Sequence, residues 1–266
     1  MQFRLLLAQV FRKLSEMSEP ALFTPRSDDV YLVSYPRSGN TWMRVILSEL
    51  LYGESGRSIK DLQYYIPDIH VKVRVAEVIP SGYHVVKSHF PYNNPRRMSN
   101  YRRVVYLVRD PRDVVLSYYR YMTALGYYNG KLEAFLPDWL CGRVWPCSWQ
   151  EHVNSWTGHR AEDLGINLLI IRYEDLLFNA ENEISRLASF LALDVSQEWM
   201  RHAITSAYVQ EMRAKEERGM RREERAEGFQ FVGAATSGQW QNTLTAEQVD
   251  QIISHARNPM ERHGYL

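Results

Sequence analysis

The 266-residue chain holds two cysteines, Cys141 and Cys147, with no CxxC pair and no second cluster of metal-ligating residues. That scarcity excludes a disulfide-stapled scaffold and a cysteine-built metal centre, and no metal is expected. One disulfide between the two is allowed by the count, yet reduced thiols in an intracellular, cytoplasmic protein are the expected state. A net charge of +1 leaves no electrostatic footprint for nucleic acid. No apolar run approaches the length of a membrane-crossing helix. Glycine- and serine-rich linkers, internal repeats and low-complexity tracts are missing too, so nothing divides residues 1–266 into separate domains. Residues 1–25 read as an N-terminal helix or extension. The start, Met1 to Leu14, is too short and too broken by charge for a secretory core. It reads as a helix packed on its own domain, or as a basic amphipathic helix in weak peripheral contact with a membrane.

What is present is ordinary for one large globular unit: 45% hydrophobic and 24% charged residues. Short β-branched runs alternate with helical stretches. Val30 to Tyr35, Tyr83 to Lys87, Val104 to Val108 and Leu168 to Ile171 are the predicted strands. Their near-continuous hydrophobicity predicts an α/β fold, a single domain with a central, mainly parallel sheet flanked by helices. Asp110-Pro111-Arg112-Asp113 combines an N-cap with proline at the first helical position. Thr245-Ala246-Glu247-Gln248 reads as a capping box, and Glu183 to Leu191 has helical spacing. Residues 211–230 are densely charged and read either as a solvated helix or as a mobile lid.

One run carries chemistry above the rest: Tyr35-Pro36-Arg37-Ser38-Gly39-Asn40-Thr41-Trp42, between an apolar strand and an amphipathic helix. A strand, a glycine turn and a helix N-terminus form a P-loop-like anion cradle of outward N–H groups and favourable dipole. Ser38, Asn40 and Thr41 add side-chain donors, and Arg37 adds a planar charged fork suited to phosphate or sulfate oxygens. A Walker A loop would put lysine after the last glycine; here Asn40 follows Gly39, which argues against an ordinary kinase.

The loop resembles the 5′-phosphosulfate-binding loop of cytosolic-type sulfotransferases, close to Tyr-Pro-Lys-Ser-Gly-Thr-Thr-Trp. Further segments follow in the family's order. Lys87-Ser88-His89-Phe90-Pro91 is similar to the stretch holding the family's catalytic histidine, and Arg103 to Tyr119 to its 3′-phosphate segment. Ser148-Trp149-Gln150-Glu151-His152-Val153 and Arg172-Tyr173-Glu174-Asp175-Leu176 match two more. The resemblance implies a sulfotransferase using 3′-phosphoadenosine 5′-phosphosulfate (PAPS) and releasing 3′-phosphoadenosine 5′-phosphate (PAP). It implies that Arg37 to Thr41 hold the 5′-phosphate, Arg109 and Ser117 the 3′-phosphate, and that Trp42 and Tyr173 lie at the adenine. Lys87 would add charge beside the transferring group. His89 would be the general base, a role a neutral imidazole suits. Residue by residue, plainer roles compete: an ion pair of Arg109 with Asp110 or Asp113, and core packing for Trp42 and Tyr173. His152 is expected to pack or hydrogen-bond within its own helix.

Three departures from the family stand out. Arginine replaces the loop lysine at Arg37. The family's Arg-Lys-Gly clamp is missing from Phe231 to Trp240, where backbone N–H groups of Gly233 to Ala235, or Arg221 and Arg222, are substitutes. The dimerisation signature near Thr245 is barely recognisable, which leaves the oligomeric state open. The acceptor is expected to be a small-molecule hydroxyl. The ring-rich stretch Tyr118, Tyr119, Tyr121, Tyr127, Tyr128, Phe135, Trp139, Trp145 and Trp149 suggests apolar or aromatic walls, with Tyr64 and Tyr65 facing them; core completion is the competing reading. Two other functions remain: a nucleotide-dependent small-molecule kinase, and a nucleotide-binding module without catalysis.

Overall fold

Residues 28–53, 58–70, 84–93, 98–158, 165–219 and 235–266 are described by a computed structural model. The β-branched runs form β1 (Val30–Ser34), β2 (Val85–Ser88), β3 (Arg103–Val108) and β4 (Asn167–Arg172). All are parallel in the order β2-β1-β3-β4, with Val30 opposite both Val85 and Arg103. The predicted strands are all present, within one or two residues at their ends; Tyr83 lies outside the described residues.

Side-chain alternation divides the interior into two cores. From β1 and β3, Tyr31, Val33, Val104, Tyr106 and Val108 point to one face. Val30, Leu32, Val105 and Leu107 point to the other. The second face is covered by α1 (Asn40–Tyr52), with α2 (Leu62–Tyr65) beside it. The first is covered by α3 (Pro111–Ala124), α4 (Leu132–Leu140) and α5 (Trp149–Thr157). After β4 come α6 (Tyr173–Phe178), α7 (Ala180–Leu191), α8 (Gln197–Ser206) and α9 (Val209–Gly219). Finally α10 (Ala246–Arg262) returns to the first face.

Helix starts follow local chemistry. The Asp110 carboxylate accepts from Arg112 N, with Pro111 at the first helical position. Reciprocal capping boxes open α5 (Ser148, Glu151) and α10 (Thr245, Gln248). Of the charged segment 211–230, the described part is helical, and Met212, Lys215 and Glu216 are buried; the remainder, like residues 1–25, lies outside the described residues. No described helix is long and apolar enough to cross a membrane.

Candidate active site

The loop from β1 to α1 opens at the C-terminal edge of the sheet, where parallel sheets leave room for ligands. Its backbone turns sharply, with Arg37 at φ 71° and Gly39 at φ 92°. Glycine is required at 39 by more than its dihedral, because an added Cβ would stand 2.7 Å from Tyr173 Cδ2. Gly39 also caps α1 without any side-chain bond, so the first N–H groups of the helix stay open to a ligand. Ser38 is buried with its Oγ unpartnered, and Trp42 Nε1 is buried and unpartnered as well. Asn40 spends its amide donor on Ser34 Oγ at 3.1 Å, leaving Oδ1 without a partner. Thr41 lines the same cleft.

Around this loop the cations gather. Arg37 donates from Nε to Ser117 Oγ at 3.1 Å and lies over the Tyr121 ring. Burial pulls its guanidinium down to about 10, still charged at neutral pH. Arg109, at the end of β3, donates to the carbonyls of Arg37 and Thr236 at 3.1 and 3.0 Å and stacks on Tyr173. The alternative ion pairs do not form: Asp110 is taken by Arg112, and Asp113 accepts from the N–H groups of Gly238 and Trp240. Arg109 pairs with no carboxylate among the described residues, and its Nε is unpartnered. Arg120, one turn beyond Ser117 and not singled out from sequence, reaches Gln239 at 2.7 Å. Gly233, Arg221 and Arg222 lie outside the described residues. Trp42 meets Tyr173 edge-on, with centroids 5.6 Å apart.

The other end is organised around His89, just beyond β2. Its Nδ1 lies 2.6 Å from the carbonyl oxygen of Ser34. A carbonyl only accepts, so Nδ1 carries the proton and Nε2 keeps a free lone pair. Burial, with Lys87 and His70 adding, holds the ring well below the usual histidine range, hence neutral. Two more histidines grip its backbone. The His89 N–H donates to His70 Nε2 at 2.8 Å, and His152 Nε2 donates to the His89 carbonyl at 3.1 Å. His152 packs in the interior, one of its two expected roles, while its hydrogen bonds leave its own helix instead of staying within it. Its Nδ1 accepts from the Tyr106 hydroxyl at 2.8 Å, tying α5 to β3. Burial lowers His70 and His152 to about 3 each.

Lys87 is buried, and its Nζ pairs with Asp68 Oδ2 at 2.6 Å. Burial is the largest single influence on the Asp68 carboxyl and raises it, but Lys87, His70, Arg44 and His89 together outweigh it and the group ends well below the carboxylate range. Residues 67–69 reach this place because they pair with the outer edge of β2, through Lys87 N to Pro67 O and Ile69 N to Lys87 O. Ser34, Asp68 and His70 were missed by sequence reasoning. No motif marks them, and only the edge pairing and the β1–β2 register bring them to His89.

One cleft of about 1420 Å³ holds both ends, with Arg37 to Trp42, Arg109, Ser117 and Tyr173 at one and Asp68, His70, Lys87 and His89 at the other. The aromatic stretch divides. Tyr118, Tyr121, Tyr127 and Trp145 line the cleft. Tyr128, Phe135, Trp139 and Trp149 are core residues, buried by α4 and α5 packing on the sheet. Tyr64 and Tyr65 form no facing wall: Tyr64 is exposed and Tyr65 packs on Tyr52. Both cysteines are free thiols. Among the described residues no His, Cys, Asp or Glu group is arranged to hold a metal.

A sulfotransferase-domain profile matches residues 27–264. A rabbit (Oryctolagus cuniculus) amine sulfotransferase is 28% identical over 248 residues, spanning 86% of this chain and 80% of the relative. The mouse (Mus musculus) sulfotransferase 1 family member D1 is 29% identical over 262 residues, 92% and 87% of the two chains. Retinol dehydratase solved with androsterone and the inactive cofactor PAP has the same fold at TM-score 0.75 and 21% identity, covering 94% of this chain and 85% of its own. Mouse sulfotransferase SULT7A1 complexed with PAP superposes at TM-score 0.70 with 22% identity, covering 92% and 91%.

Proposed function

The chain belongs to the sulfotransferase-domain family, and from that premise we propose that it moves a sulfuryl group from PAPS to a hydroxyl of a small aromatic or apolar acceptor, with His89 as general base. The observation that carries the reading is the His89 tautomer: Nδ1–H is bound to Ser34 O, and Nε2 is left as a base beside the cleft.

The residues at the other end suit a nucleotide carrying two phosphate groups. The open N-terminus of α1, the unpartnered Ser38 Oγ and the Arg109 guanidinium, whose Nε–H is unpartnered and whose charge no described carboxylate neutralises, are donors suited to an anion. When bound, PAPS supplies the sulfuryl group and the leaving phosphate. Arg37 and the α1 N–H groups orient and neutralise the 5′ side, while Arg109 and Ser117 hold the 3′-phosphate. Trp42 and Tyr173 flank the adenine.

At the acceptor end His89 takes the hydroxyl proton on Nε2. The resulting imidazolium keeps its Nδ1–H bond to Ser34 O, so no ring rotation is needed during transfer. An ammonium has three donors, and the Asp68 bond uses one, leaving two for oxygens in the cleft. Tyr118, Tyr121 and Trp145 keep water from the acceptor ring. The rabbit relative is named for amines, but here a cationic acceptor would find the nearby carboxylate, Asp68, already paired with Lys87. That favours a hydroxyl.

The test is transfer of label from sulfuryl-labelled PAPS to a panel of phenols, steroids, sugars and lipid alcohols. Label in phenols or apolar alcohols is expected. Label in sugars alone, or in nothing, would overturn the reading.

A further inference from the structure

Arg120 has no part in the scheme above, yet it stands on the cleft wall with the groups assigned to the 3′-phosphate. It follows Ser117 by three residues on α3, so the two side chains share one face of that helix. A closed circuit of contacts fixes their surroundings. Arg109 donates to the carbonyl of Arg37, and Arg37 Nε donates to Ser117 Oγ. One helical turn on, Arg120 Nη1 donates to Gln239 Oε1 at 2.7 Å. The Gln239 amide nitrogen donates to Thr236 Oγ1, and the Thr236 carbonyl accepts from Arg109 at 3.0 Å, which closes the circuit. All six residues line the cleft. Arg109 and Arg120 are thus both held by neutral acceptors, a carbonyl or an amide, and neither meets a carboxylate among the described residues. The carboxylate beside them, Asp113, is occupied by the N–H groups of Gly238 and Trp240. A neutral partner fixes a guanidinium in place without cancelling its charge, which is what an anion site requires.

We propose that Arg120, held by Gln239, is the second cation of the 3′-phosphate site and a determinant of the preference for a 3′-phosphorylated nucleotide. This rests on the sulfotransferase reading and adds a specificity residue to it. The reason is charge. A phosphate monoester carries about −1.5 to −2 at neutral pH, and the single charge of Arg109 balances only part of it. Arg37 is committed to the 5′ side. Arg120 supplies the remainder from the far side of the circuit. Gln239 Oε1 takes one guanidinium N–H, and the others are left for phosphate oxygens. Without the 3′-phosphate, Arg120 gains nothing from the nucleotide beyond screened attraction, so its contribution appears as selectivity.

The experiment measures, by titration calorimetry on the full chain, the dissociation constants of PAP and of adenosine 5′-phosphate, which lacks only the 3′-phosphate. The quantity read is their ratio, which a general loosening of the fold does not move. Arg120→Met, which keeps the aliphatic stem and removes the charge, should lower the preference for PAP about tenfold, the lower end of a charge-assisted contact because the side chain is exposed. Arg120→Lys, which keeps the charge, should hold more of the preference than Arg120→Met. The melting temperature of the ligand-free variants should stay near that of the wild type, whereas a residue that merely ties α3 to Gln239 would lower it and leave the ratio alone. An unchanged ratio in Arg120→Met, or no recovery in Arg120→Lys, overturns the proposal. A preference that vanishes in Arg109→Ala but survives in Arg120→Met sinks this inference and leaves the parent reading standing. A wild type that binds PAP no better than adenosine 5′-phosphate sinks both.

Discussion

The two ends of the cleft handle polar groups in opposite ways. At the loop end, where the nucleotide is proposed to bind, the groups are left wanting: Ser38 Oγ, Trp42 Nε1 and Arg109 Nε are unpartnered, and α1 begins on an uncapped glycine. At the His89 end, the proposed acceptor site, most groups satisfy one another. Asp68 takes Lys87, and the His89 backbone and Nδ1 are bound by His70, His152 and Ser34. The first arrangement is what an anion-binding site needs, because the ligand completes the bonds. The second suits proton transfer, where a base must be held neutral and oriented before the substrate arrives. The contrast predicts where substitutions act on binding and where on turnover or stability.

The largest effect should come from the acceptor end. His89→Ala should lower turnover by about two to four orders of magnitude, the usual contribution of a positioned base. PAP affinity, read by thermal shift, should scarcely change. A variant retaining near-normal sulfation would break the division between the ends. Next in size, Asp68→Ala strands the buried Lys87 ammonium without a counter-charge, a loss of about 3–5 kcal/mol. Urea unfolding measures it, and a loss below about 1 kcal/mol would mean that the pair is not a structural necessity.

At the nucleotide end Arg109→Ala should cost binding and leave the fold intact. Charge-assisted contacts contribute about 1.5–3 kcal/mol, so the preference for PAP over ADP should shrink roughly tenfold or more. Equal stabilisation of the wild type by PAP and ADP would remove Arg109 from the 3′-phosphate site. The smallest effect is in the pH profile. His89 stays neutral well below its usual range, so kcat/KM should hold level as pH falls through 6.5, where an ordinary histidine gains its proton. An acid limb centred at 6.5 or above would contradict this. Stability runs the other way. The unfolded chain protonates His70 and His152 near 6.5, whereas the folded protein waits until about 3, so stability is full above 6.5 and falls between those values.

Much of this was legible in the chain. The strands showed because sheet burial on both faces demands continuous apolar runs, and β1 and β3 are buried throughout or nearly so. The turn between β1 and α1 showed because its pattern is local: Arg37, Gly39 and the start of α1 are nearly consecutive in sequence. Capping residues such as Asp110 and Thr245 were visible for the same reason. The aromatic stretch was ambiguous, since ring content alone does not say which side a ring faces. Trp139 and Trp145 lie six residues apart, yet one is core and the other lines the cleft.

Composition and local order in the sequence thus determined the α/β class, the strand sequence, the glycine turn between β1 and α1 and the place of His89 beyond β2. Only the tertiary structure decided that Asp68 claims Lys87, that Ser34 sets the His89 tautomer and that His70 and His152 hold its backbone. Each of those contacts joins residues from 19 to 63 positions apart. They depend on strand register and on an edge pairing whose partners carry no mark in the sequence, since any polar residue of the right length satisfies local rules equally well.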